Sequence, residues 1–317
     1  MDRAAATASA GLLIDNVQQV IRGKKGAIQA AATALFAGGH LLVEDVPGVG
    51  KTMLARSIAR SISGSFKRIQ ATPDLLPTDI TGTSVYNQAH QRFEFLEGPI
   101  FGNVVLVDEI NRTTPRTQSA LLEAMDENAV TVDGIRYPLP DPLFLIATQN
   151  PLEHHGTYPL PEGQLDRFAI AMELGYAAAA TEKEIVQAQL ESHPIEELEA
   201  VLDPDEVVAI RRVVRATHVS EPVLDYAMKL VTATRNHPDL SLGASPRASI
   251  ILVRCAQARA LLEGRDYVTP DDIKVLAVPS LAHRVLPSAG LRLEPGVATA
   301  TMKEIIEATP VPVTDSA

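Results

Sequence analysis

The feature that most constrains this chain is a glycine-rich turn set between a strand and a helix. Residues 40–44 (HLLVE) form a short apolar run, and residues 52–63 carry Leu54, Ile58 and Ile62 on one helical face before Gly64 stops the pattern. Between the two lies Pro47-Gly48-Val49-Gly50-Lys51-Thr52-Met53. Glycine lets backbone N–H groups approach an anion, and the helix N-terminus that follows favours negative charge. In such a turn Lys51 reaches the β- and γ-phosphates of a nucleotide, and the Thr52 hydroxyl binds Mg²⁺. The strict pattern wants a glycine where this chain has Asp45, and Asp tolerates unusual backbone angles better than most residues.

The rest of the first two-thirds keeps an α/β rhythm. Further strands are expected at residues 67–70, 104–107, 143–147 and 168–174, and residues 27–37 read as a helix closed by Gly38-Gly39. Five strands with helices between them predict a parallel sheet in three layers. Two insertions break the rhythm. Residues 72–101 are rich in Pro, Thr and Gly, and residues 86–96 alternate as a hairpin would, with Phe93, Phe95 and Phe101 as its packing. Residues 129–142 centre on Asp133-Gly134, a hairpin turn signal. After His193-Pro194 helix starts dominate, at Asp203-Pro204, Ser245-Pro246 and Thr269-Pro270. The chain therefore divides into an α/β unit, residues 1–194, and an all-helical unit, residues 195–317, with a frayed tail after Ala308. The opening MDRAAATASAGLLID lacks a continuous apolar run, so it reads as a loose terminus or cap and not as a signal peptide.

Composition narrows the function classes. Over 317 residues, 28 basic side chains face 39 acidic ones, a net charge of −11. Both parts are acidic: 15 basic against 22 acidic residues before Pro194, and 13 against 17 from there on. Neither part is a general binder of phosphate backbones, which makes nucleic acid an unfavoured partner. The single Cys255 rules out an intrachain disulfide and fits a reducing, cytoplasmic compartment; it lies in an apolar stretch as a buried, inert thiol. No run of 18 apolar residues suggests a membrane span.

Two further segments carry chemistry. Val104-Val105-Leu106-Val107-Asp108-Glu109 places acids at the C-terminal end of a buried strand. There Asp108 holds Mg²⁺ and Glu109 orients and activates an attacking water. Ala147-Thr148-Gln149-Asn150 ends another strand, where open α/β sheets bind ligands, and Asn150 is placed to hold that water or the γ-phosphate. The pair His154-His155 is not a metal site, because adjacent side chains point apart and no nearby Cys completes a set.

The segments LLVEDVPGVGKT, VVLVDEINRTTPRTQSALLEAMDE, FLIATQNP and GTYPLPEGQLDRF resemble the MoxR family of AAA+ ATPases, over about residues 20–285. The resemblance implies a P-loop AAA+ core followed by a helical lid, with ATP and Mg²⁺ as ligands. It implies an adenine pocket at Val20-Ile21-Arg22-Gly23, although Lys24 stands where Gln is more usual. It also implies Asn150 as sensor 1, Arg167 as an arginine finger serving a neighbouring subunit, and Arg247 as the sensor-2 arginine of the lid. Arg247 lies near a helix start, where a cation opposes the dipole, and a nearby phosphate would account for it. Arg112 and Arg116 are left either as solvated charges or as groups serving a neighbour. The partners implied are copies of the same chain in a hexameric ring, a von Willebrand factor A-domain adaptor and a client protein complex. A DNA-associated motor or loader is the alternative, and the acidic balance speaks against it.

Overall fold

A computed structural model describes residues 1–150, 156–191, 193–291 and 296–312. Its centre is a five-stranded sheet in the order Phe66–Gln70, Val104–Asp108, Phe144–Gln149, Leu41–Glu44, Ile170–Met172. Every neighbouring pair is parallel. All five strands fall where the sequence placed them, with ends shifted by at most two residues. Period-two alternation sorts their side chains to two faces. Val104, Leu106, Phe144 and Ile146 join one buried cluster, while Val105, Val107, Leu145 and Ala147 join the other. Helix Pro115–Glu127 covers the second face through Leu121, Leu122 and Met125.

The first face is covered by helices Lys25–Ala37 and Lys51–Ser61 and by a helix that the sequence reading had not placed. Residues 1–15, which read as a loose terminus or cap, instead enter helix Arg3–Val20. Asp2 caps it by accepting the Ala5 N–H at 2.8 Å. Ala6, Ala10, Leu13, Ile14 and Val17 lie buried along one side. The alanines hid this face from a hydrophobicity reading, yet their small size lets the helix lie close against its neighbours. Asn16 fastens it by donating to Ser61 Oγ and to the Glu199 carbonyl, both at 2.9 Å.

The lid follows as helices Pro204–Arg215, Glu221–Arg235, Pro246–Leu262, Pro270–Leu281 and Val297–Ala308. Among the described residues it is helical apart from a small antiparallel pair, Leu240–Leu242 with Leu286–Pro287, and an isolated bridge between His218 and Tyr267. The same buried cluster that contains Leu35 and Leu41 runs through Ile210, Leu252 and Ile273 of the lid. Both insertions contain hairpins, Gly82–Asn87 with Arg92–Glu97 and Ala129–Val132 with Ile135–Pro138. Phe95 joins them by stacking on Tyr137 with ring centres 3.9 Å apart, and it meets Phe101 edge-on at 5.6 Å. Phe93 meets only Tyr86 at 5.4 Å among ring contacts, and it is 71% exposed.

Candidate functional site

The C-terminal ends of three adjacent strands and one helix N-terminus converge on a pocket of about 320 Å³. The P-loop contributes Pro47, Gly48, Gly50, Lys51, Thr52 and Met53, the next strands Asp108, Glu109, Thr148 and Asn150. Gly48 and Gly50 have φ of +89° and +100°, and a Cβ on either would meet nothing within 4 Å. The cradle is therefore open above its backbone. Helix Lys51–Ser61 has no side-chain cap at Gly50, which leaves its first turn suited to an anion. Lys51 Nζ donates to the Asp45 carbonyl at 2.6 Å. Burial pushes the Lys51 ammonium below its ordinary pKa, against the upward pull of Asp45, Asp108 and Glu109. These donors and acids fit a nucleotide triphosphate with Mg²⁺: cationic and N–H donors for phosphate, and the Thr52 hydroxyl and Asp108 carboxylate as hard oxygen ligands.

Two residues that the sequence did not single out, Arg68 and Gln70, complete the pocket. Arg68, on the strand beside Asp108, donates to its Oδ2 at 2.7 Å. Gln70 Nε2 donates to Glu109 Oε2 at 3.3 Å, and Arg112 Nη1 to the same oxygen at 2.9 Å. Arg112 thus pairs with Glu109 of its own chain, while Arg116 is exposed. Thr148 Oγ1 accepts the Glu109 N–H at 2.9 Å and faces Asp108 Oδ1 at 3.4 Å, tying the acids to the Asn150 strand. Glu109 itself sits at φ +57°, a left-handed conformation uncommon for a residue with a side chain. The only sequence signal for Arg68 and Gln70 was outward alternation along a strand.

Asp45 has a different role from the one its type suggested. It is not among the described residues with positive φ. Its carboxylate is buried and accepts the N–H groups of Leu174 and Gly175 at 2.8 and 2.6 Å, pinning the segment after the last strand. The residues that follow, Tyr176 and Ala177, line a second hollow. An apolar hollow of about 330 Å³ adjoins the phosphate site, lined by Val20, Ile21, Val49, Met53, Tyr176, Ile185 and Val186. Gly23 does not line it; at φ +72° it turns the chain between two helices, against Thr181. Lys24, where Gln was expected, donates to the Tyr176 carbonyl at 2.6 Å and so braces the far wall.

Arg167 and Arg247 do not border either pocket. They meet at the opposite end of the sheet, in a hollow of about 350 Å³ that also includes His40, Asp126 and Arg254. The parallel register explains this. Ala169 N–H donates to the His40 carbonyl, so Arg167 lies at the N-terminal strand ends while the P-loop lies at the C-terminal ends. Arg247 was expected beside the nucleotide of its own chain, and the structure corrects that placement. Its helix is held at the Arg167 edge, where Ser245 Oγ donates to Asp166 Oδ2 at 2.8 Å and Arg284 Nε to Asp166 Oδ1 at 3.0 Å.

The pair His154-His155 lies outside the described residues. Among the described residues one group of metal-ligating type comes together, His237, Asp239 and Glu304. His237 Nδ1 accepts the Asp239 N–H at 3.2 Å, and its Nε2 faces the Glu304 carboxylate at 3.9 Å. Cys255 is buried, and burial pushes its thiol up to about 12, so it is inert. Among the described residues no helix is long and apolar enough to cross a membrane.

Comparison with known proteins agrees with this geometry. The profile of the ATPase family associated with various cellular activities (AAA) matches residues 40–170, and that of the AAA lid domain matches residues 232–305. The chain is 50% identical to the Bacillus subtilis protein YeaC over 307 residues, covering 97% of this chain and 96% of that one. It is 39% identical to Chaperone MoxR1 of Mycobacterium tuberculosis, covering 86% and 74%. A crystal structure from Cytophaga hutchinsonii superposes with a TM-score of 0.91 at 36% identity, over 98% of this chain and 97% of that one. With its P-loop sheet, its acid-tipped strand and its helical lid, the chain belongs to the MoxR family of chaperone-like AAA+ ATPases.

Proposed function

We propose that this chain hydrolyses ATP in a hexameric ring of its own copies and uses the cycle to remodel partner protein complexes in the cytoplasm, with a von Willebrand factor A-domain protein as adaptor. The convergence of Lys51, Thr52, Asp108, Glu109 and Asn150 on one open phosphate cradle carries the reading. Lys51 exchanges its bond to the Asp45 carbonyl for the β- and γ-phosphates. Mg²⁺, held by Thr52 and Asp108, would offset the charge gathering on the phosphate oxygens. Glu109 takes a proton from the attacking water as the γ-phosphorus bond to ADP breaks, and Asn150 holds that water in line. The adenine sits between Val20-Ile21 and the Tyr176 wall. Residues 1–194 and 195–317 act as core and lid.

The active site is shared between chains. Arg167 and Arg247 lie at the sheet end remote from their own P-loop, with side chains 27% and 44% exposed, which suits service to the γ-phosphate of a neighbour. A guanidinium supplied in trans is worth about 10³–10⁵ in rate in GTPases. Such head-to-tail contact is heterologous and closes into a ring when the rotation permits. Phosphate release per chain should rise with protein concentration. Mixing inactive Lys51→Ala chains with inactive Arg167→Ala chains should restore turnover, because one brings the arginines and the other the pocket; Arg247→Ala should complement in the same way. Concentration-independent hydrolysis by a monomer would overturn the shared site.

A further inference from the structure

Helix Pro115–Glu127 starts just beyond Glu109 and, at about 1.5 Å per residue, carries the chain some 20 Å to the other end of the sheet. Near its last turn stands Asp126. Arg247 Nη1 donates to Asp126 Oδ1 at 3.0 Å, and Arg247 Nη1 and Nη2 reach Oδ2 at 3.4 Å. Arg167 pairs with the same Oδ2, and its Nη1 also donates to the Leu122 carbonyl of this helix at 3.3 Å. One carboxylate therefore sits between two guanidiniums that come from two different parts of the chain.

The arrangement has a physical purpose. Two guanidiniums side by side repel, and each long side chain has many rotamers to lose on being held. A carboxylate shared between them offsets the repulsion and orients both planar forks. The backbones are tied as well: Ser245, which caps the helix bearing Arg247 by accepting the Ala248 N–H, donates to Asp166, the residue before Arg167. Nothing in the phosphate pocket of the same chain touches Asp126.

We infer that Asp126 is a positioning residue for the neighbouring subunit: its carboxylate holds Arg167 and Arg247 together on the open edge, ready for the γ-phosphate of the next chain, and it does nothing for ATP bound in its own chain. The inference rests on the shared-site reading above and adds to it the group that makes two mobile cations act as one.

Mixed assemblies separate the two. Donor chains carry Lys51→Ala and receiver chains carry Arg167→Ala, and light scattering verifies co-assembly. Asp126→Asn placed in the donor should lower turnover of the mixture at least about tenfold, within the ~10² that a misplaced group can cost, with the apparent KM for ATP unchanged. The same substitution in the receiver should leave turnover unchanged, and Asp126→Glu in the donor should restore part of the rate. Equal loss in both arms, no loss in the donor arm, or failure of co-assembly in either arm would overturn the inference and leave the shared site standing. An inactive reference mixture that has co-assembled would overturn the shared-site reading, and this inference with it.

Discussion

At the scale of single residues, the candidate site separates groups whose chemistry is local from groups whose role depends on a distant partner. Glu109 is of the first kind. Gln70 and Arg112 hold its carboxylate and Thr148 holds its N–H, so replacing it with Gln alters the charge and spares the shape. Glu109→Gln should bind ATP with nearly wild-type affinity and lose at least about 10² in turnover, the low end of general-base effects; turnover near wild type in a phosphate-release assay would remove Glu109 as the base. Lys51→Ala should abolish ATP binding, as read by titration, because the cradle loses its lysine ammonium. Asp45 is of the second kind. Its residue type suggested conformational tolerance, while its two bonds, to Leu174 and Gly175 N–H, are made some 130 residues further along the chain. Asp45→Asn leaves one acceptor oxygen for these donors and sets an NH2 group in place of the second oxygen, so that either they or the Val46 N–H, accepted by that second oxygen at 2.8 Å, face a donor. It should cost about 1–3 kcal/mol and lower the thermal midpoint accordingly, whereas an unchanged midpoint would show that the pinning contributes little.

At the scale of elements, legibility followed the strength of the period. Four of the five strands are built on continuous apolar runs bounded by turns, the fifth, Phe66–Gln70, alternates, and helices such as Pro204–Arg215 open with a capping box, so each declared itself locally. Helix Arg3–Val20 did not, because alanine contributes little to a hydrophobic pattern although it packs as tightly as any residue. The docking of this helix can be tested with two neighbours. Leu13 is 1% exposed and Leu12 is 53% exposed. Leu13→Ala should cost about 2–5 kcal/mol in denaturant unfolding, the range for buried leucines. Leu12→Ala should cost far less, and equal effects would mean that the helix is not docked as described. The second hairpin followed its Asp133-Gly134 turn signal and the first its alternation, but their joining through Phe95 on Tyr137 is a contact between insertions that no local pattern encodes.

At the scale of the whole molecule, two buried histidines, one inside the sheet and one joining the lid to it, should make the fold sensitive to acid. His40 is buried at the start of the P-loop strand, where its Nδ1 accepts the Leu145 N–H, and burial lowers its pKa to about 4. His283 of the lid donates Nε2–H to the Phe168 carbonyl, beside Arg167, and burial together with the Arg284 charge lowers its pKa to about 3. Both must stay neutral in the folded state, so the unfolded chain binds more protons between about pH 6.5 and these values. Stability should be full above pH 6.5 and should fall as the pH drops from there towards 4 and then 3, by an amount on the order of a few kcal/mol for each histidine. Urea unfolding at stepped pH checks the sign, and His40→Gln should flatten the slope. A slope of the opposite sign would mean that the histidines are charged in the folded protein.

The sequence by itself determined the phosphate site. Its glycines, Lys51, Thr52, Asp108, Glu109 and Asn150 lie at strand ends, and parallel strands bring their C-terminal ends to one edge whatever else the chain does. That Val20 and Ile21 line the hollow beside the P-loop was expected from the family resemblance, but the opposite wall at Tyr176 was not. Only the tertiary structure decided where Arg247 lies. Its partner Asp126 lies 121 residues away on another element, and the two meet because the lid packs into the same buried cluster as helix Lys25–Ala37 and is bonded to Asp166 at the far end of the sheet. Such a meeting depends on how two packed units sit together, and neither residue spacing nor hydrophobic period carries that information.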